Sequence, residues 1–104
     1  MPREALGLVE TRGMVPAVEA ADAMCKAAGV RLTRWEVTRD ALVTVTVRGP
    51  LGDVEAAVAA GAAAAARMGE VLARHVIPAP EAQLEEPIAG RPTDAVAGLD
   101  VTTP

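Results

Sequence analysis

The chain has 104 residues, a formal net charge of −4 and a single aromatic side chain, Trp35, which fits one small domain. Residues 1–80 carry nine acidic and nine basic side chains, whereas residues 81–104 carry five acidic ones against Arg91 alone. The absence of a basic cluster for phosphates and of an aromatic platform for bases argues against nucleic-acid binding, and one cysteine, Cys25, cannot staple a secreted fold and fits a reducing cytosol.

The elements are legible in chain order. Residues 5–10 read as a short strand ended by Thr11, Arg12 and Gly13. Pro16 suits the first turn of a helix, where a missing N–H is no loss, and the helix runs to about Ala28 with Gly29 just past its end. Val18, Ala21, Met24 or Cys25, and Ala28 fall on one apolar face, and Asp22 and Lys26 form an i,i+4 pair on another. Residues 30–37 and 42–47 alternate as strands, Val43, Val45 and Val47 sharing a face, with Thr38, Arg39, Asp40 and Ala41 as the hairpin between them.

Gly49 and Pro50 break the strand, and a long alanine-rich helix follows from Leu51 to Met68. Gly61 inside it costs about 1 kcal/mol against alanine, which points to a close contact. Residues 71–77 form a last strand, stopped by Pro78, Ala79 and Pro80. The order βαββαβ is the ferredoxin-like α+β arrangement, a four-stranded antiparallel sheet with two helices on one face. Residues 81–104 are a second region, an acidic, Pro- and Gly-containing tail expected to be mobile, with one short helical turn near Gln83–Glu86.

Alanine contributes little area to a core, and a domain of this size buries only about two-thirds of its unfolded surface, so the chain is expected to depend on contacts between copies. The run from Ala56 to Ala66 lies between Glu55 and Arg67 and is too short to cross a bilayer, and the N-terminus lacks the pattern of a signal peptide. The inventory for catalysis is poor. His75 is the only histidine and reads as a hydrogen-bonded structural residue near a subunit contact. Pairing it with Cys25 would still leave a metal site one ligand short, and Cys25 reads as a small buried apolar residue. Glu10 and Glu19 read as a strand-end and a helix-surface carboxylate rather than an acid/base pair. No enzyme, cofactor or metal is expected.

Taken together, Ala5–Gly13, Glu19–Ala28, Val47–Gly49, the helix from Leu51 to Met68 and the run His75-Val-Ile-Pro78 resemble the single-domain shell proteins of bacterial microcompartments, in order over roughly residues 4–80. The resemblance implies a cyclic homohexamer that serves as a flat tile of a shell facet in the bacterial cytoplasm. Its partners would be other shell proteins and the enzymes enclosed, and its central pore would pass small polar metabolites. It implies that Thr38, Arg39, Asp40 and Ala41 line the pore, the charges forming either an alternating salt-bridged collar or a ring of arginines projecting inward. It also implies a hexamer edge at Lys26, Gly29, His75, Pro78 and Ala79. Two familiar edge residues are replaced, an asparagine by Gly29 and an arginine after Ile-Pro by Ala79, which implies weaker or differently shaped sheets. Without the resemblance, Lys26 reads as a solvated helix lysine and the hairpin as a polar loop. A rival from another class is a ferredoxin-like regulatory module that binds a small ligand as a dimer or trimer.

Overall fold

The structure is a computed structural model in which residues 4–27 and 29–78 are described. Six elements follow in the order β1 (Ala5–Arg12), α1 (Met14–Ala27), β2 (Arg31–Val37), β3 (Leu42–Gly49), α2 (Leu51–Ala66) and β4 (Glu70–Ile77). The strands form one sheet in the order β2-β3-β1-β4, with every neighbouring pair antiparallel. This is the expected ferredoxin-like arrangement. Strand ends differ from the sequence reading by one or two residues, and α2 stops at Ala66, its last turn closed by the N–H of Arg67, Met68 and Gly69 on the carbonyls of Ala64 and Ala65. Ala28, Ala79 and the tail, including the turn expected near Gln83–Glu86, lie outside the described residues.

Both helices lie on one face. Val9 of β1 and Val43, Val45 and Val47 of β3 point into a core completed by Ala17, Ala20 and Met24 of α1 and Val54, Ala57, Val58 and Ala65 of α2. Because the inward residues are mostly alanine and valine, the layers close by near approach of backbones rather than by bulk. Glycines mark the tightest points. A Cβ on Gly7 would stand 2.6 Å from Val58 Cγ2 and 2.8 Å from Val54 Cγ1, and one on Gly61 would collide with Met24 Cγ and stand 2.7 Å from its Sδ. The contact anticipated at Gly61 is therefore α2 seated on the Met24 side chain of α1.

Two expectations for α1 are corrected. Its buried residues are Pro16, Ala17, Ala20 and Met24, with Ala21 half-buried against the core, while Val18 is 49% exposed, so the inward face keeps Ala21 and Met24 but turns away from Val18. Five of the fourteen helical residues are alanines, spread over several sides, and that composition does not choose between the two faces. Cys25 accordingly faces solvent instead of the core.

The opposite face of the sheet carries the even-numbered side chains of β1 and β3. Across the strands it reads Arg31, Arg48, Leu6, Ile77, then Arg34, Thr46, Leu8, His75, then Glu36, Thr44, Glu10, Ala73, and finally Leu42, Arg12, Glu70.

Candidate functional site

The antiparallel register divides the domain into two poles. At one pole lie Arg12 at the end of β1, Val37 at the end of β2, Leu42 at the start of β3 and Glu70 at the start of β4. The hairpin Thr38–Ala41 closes this pole. Ala41 N–H donates to Thr38 O at 3.1 Å and Thr38 N–H donates to Leu42 O at 2.9 Å, a tight turn followed by one left-handed residue. That residue is Ala41, with φ 62°, where glycine is the usual occupant. Its carbonyl is held in turn by Gly13 N–H at 2.7 Å, which ties the hairpin to the start of α1. Arg39 and Asp40 at the tip are both exposed and form no ion pair within the chain's described residues. Arg12 and Glu70 pair beside them across β1 and β4 at 3.1 Å, both more than half exposed.

An unexpected feature surrounds the hairpin. The large apolar side chains left in solvent among the described residues are Met14, Val15, Val18, Val37, Leu51 and Met68. All but Leu51 belong to this pole: Met14, Val15 and Val18 at the beginning of α1, Val37 at the hairpin, and Met68 where the chain turns into β4. Gly69 locks Met68 beside α1, since a Cβ there would meet Pro16 Cγ at 2.9 Å. Sequence reasoning missed this cluster because its members come from three separate segments and none is unusual alone.

The candidate edge residues gather at the other pole. Lys26 is in the last turn of α1, exposed and paired with Asp22 at 3.0 Å, as the i,i+4 spacing predicts. Gly29 follows, pressed near α2, where a Cβ would stand 3.0 Å from Asp53 Oδ2. Pro78 leaves β4 beside the start of β1, and Ala79 lies outside the described residues. His75 differs from expectation. It is exposed, and its ring makes no hydrogen bond within the chain's described residues; instead it lines a hollow on the open sheet face with Leu8, Glu10, Thr44 and Ala73. Glu10 lies inside β1, not at its end, and accepts a hydrogen bond from the Thr44 hydroxyl at 3.3 Å. Glu19 sits on α1, on the other side of the sheet, so the two carboxylates do not meet.

The strongest polar contact is at the same pole as Lys26. Arg31 donates through both terminal nitrogens to Glu4 at 2.6 and 2.7 Å. The Arg31 hydrogen bonds hold the Glu4 carboxyl below its ordinary range, against a smaller opposing effect of burial, and Glu4 raises the Arg31 guanidinium in return. No group of three or more potential metal ligands exists among the described residues.

The model of the BMC domain family matches residues 5–80, nearly all of the described fold. The chain belongs to the BMC-domain family. Among its relatives is the bacterial microcompartment shell protein PduA of Citrobacter freundii, 56% identical over 86 residues that make up 83% of this chain and 92% of the relative. The carboxysome shell protein CsoS1C of Hydrogenovibrio crunogenus is 54% identical over 82% of this chain and 84% of that one. In structure the fold matches a microcompartment protein of Desulfitobacterium hafniense DCB with a TM-score of 0.75 at 32% identity, over 86% of this chain, which spans 48% of the length of that protein. BMC-domain proteins are structural components of bacterial microcompartment shells in the bacterial cytoplasm, where they assemble with other shell proteins, and this chain is a shell protein of that kind.

Proposed function

We propose that the chain closes into a cyclic homohexamer, a facet tile whose hairpin pole meets the six-fold axis and whose opposite pole forms the rim. The cluster of Met14, Val15, Val18, Val37 and Met68 around one hairpin carries this reading. Exposed apolar side chains gathered at one end of a domain mark a surface that another protein covers. Ring closure covers it on every copy with the same heterologous contact. Thr38, Arg39, Asp40 and Ala41 then line the pore, and the exposed Arg39 and Asp40 set the charge that small polar metabolites meet on passing. The tile carries out no chemistry. It restricts escape from the compartment, and other shell proteins and the enclosed enzymes are its partners.

Lys26, Gly29, His75, Pro78 and Ala79 belong to the rim and its flanks in this reading. A bridging arginine makes several donor contacts at once, and Ala79 makes none, so lateral association of tiles is weaker than where that arginine is present. Residues 1–80 form the shell domain, and residues 81–104 are an appendage to the hexamer rather than part of its framework. The deciding measurement is native mass in solution at moderate salt. Six times the mass of the chain, 10.6 kDa for the full one, supports the tile, and the chain ended after Pro80 should likewise run at six times its own smaller mass. A dimer or trimer overturns it in favour of a small-ligand module, and loss of the hexamer on shortening overturns the division at residue 80.

A further inference from the structure

The hollow on the open sheet face is built by cross-strand partners. Leu8 stands directly opposite His75, and Glu10 stands opposite Ala73 on one side and Thr44 on the other. Their side chains share one face, because residues two apart on a strand point the same way. Ala73 is short and leaves the space above it open, while diagonal partners such as Glu10 and His75 lie about 7 Å apart on an antiparallel ladder. The β1–β4 register also shifts between Glu10 and Thr11, which leaves Leu72 as an extra residue of β4 beside the hollow. Such a bulge bends its strand and turns side chains out of the regular pleat. The space enclosed is about 210 Å³.

The charges near this hollow decide what it suits. Arg12 is paired with Glu70, and Arg34 with Glu36. Glu10 accepts a hydrogen bond from the Thr44 hydroxyl at 3.3 Å but makes no ion pair within the described residues, and the His75 ring makes no hydrogen bond there. The hollow therefore presents three acceptors: the Glu10 carboxylate, the oxygen of the Thr44 hydroxyl, and one ring nitrogen of a neutral His75. A primary ammonium group is the matching species, with three N–H donors, one positive charge and no acceptor. An anion would meet the Glu10 carboxylate, and a neutral alcohol would leave its charge without a partner. Leu8 and Ala73 supply an apolar floor for a hydrocarbon stem.

We propose that this hollow binds a primary ammonium group on a short apolar stem, its N–H bonds shared among Glu10, Thr44 and His75 and its stem resting on Leu8 and Ala73. The site lies within one chain and does not depend on ring closure. A free alkylamine and a lysine side chain of another protein both present this chemistry.

Nuclear magnetic resonance of the full chain, titrated with n-butylammonium at about pH 8 where alkylammonium groups remain charged, tests the proposal. The expected result is saturable shifts at Leu8, Thr44 and Ala73. Glu10→Gln, which keeps the shape and removes the charge, should weaken binding by about tenfold or more. Ala73→Leu, which fills the space and leaves the carboxylate in place, should abolish it. Resonances of α1 and α2 show that each variant is folded. Tetramethylammonium, which has the charge without N–H donors, and n-butanol, which has the stem without the charge, should both bind more weakly. Shifts that do not saturate, shifts confined to Asp40 or Glu70, equal binding of tetramethylammonium, or undiminished binding by either variant overturns the proposal. Tighter binding of Nα-acetyl-lysine amide than of n-butylammonium assigns the site to a lysine side chain, and the reverse order to a free amine. Native mass, recorded on the same samples, reports the hexamer independently.

Discussion

Ala41 is a residue whose identity works against its conformation. A left-handed backbone costs an L-residue with a Cβ roughly 1–2 kcal/mol, and Ala41 is held there by its own turn and by Gly13. Ala41→Gly removes that cost, partly offset by the greater freedom of glycine in the unfolded chain. The expected outcome is a gain of about 0.5–1 kcal/mol in denaturant unfolding, and a loss of stability would mean that the Ala41 methyl makes a contact worth more than its strain. Glu4 gives a second test. Its carboxyl is lowered by the Arg31 hydrogen bonds, so the stability it contributes is present above its unfolded value and is lost as pH falls through its folded value. Both partners are more than a third exposed, which limits the effect to about 1 kcal/mol or less. Glu4→Gln should therefore be slightly less stable than the parent at pH 7, and the gap should close at a pH below the folded value. A gap that persists there would assign the effect to packing.

At the scale of elements, the α1–α2 contact depends on Gly61. A methyl at that position meets Met24 and comes within 3.2 Å of the Ala20 carbonyl. Overpacking of this kind costs about 1–3 kcal/mol, and the better helix propensity of alanine returns about 1 kcal/mol. Gly61→Ala is expected to lower the midpoint of urea unfolding without changing the slope, and in a Met24→Ala background the same change should cost less than it does in the parent. The elements themselves were readable because strands alternate every second residue and Pro16, Gly49, Pro50 and Pro78 punctuate them. The close contact at Gly61 was readable for the same local reason, a glycine in a run of alanines. The inward face of α1 was not, since alanines surround that helix and burial was decided by where Met24 found space under Gly61. Nor was the apolar cluster, which exists only once β1, β2 and α2 deliver their ends to one pole. The hairpin and rim residues were nameable from resemblance alone; Lys26 or Asp40 met singly says nothing beyond a solvated charge.

For the whole molecule, the pole-to-pole asymmetry is the property on which the proposed ring rests. A domain with apolar side chains around one hairpin and an Asp22–Lys26 pair at the other end has an axis built into it. If the apolar pole is buried on ring closure, Val15→Asp should shift native mass from hexamer to smaller species while the far-ultraviolet spectrum of the chain is retained, because Val15 is 58% exposed in the single copy. A hexamer unaffected by that change would move the ring contact away from the start of α1.

Trp35 has an experimental consequence of its own. It is half-buried on β2, opposite Val45, three residues before the hairpin begins. As the chain has no other aromatic side chain, its entire ultraviolet emission comes from this one indole. The protein thus carries a built-in optical gauge next to the loop assigned to the pore. If the proposed ring forms, a solute lodged among copies of Arg39 and Asp40 is expected to change the emission colour or quenching of Trp35 on the unlabelled, unmodified chain.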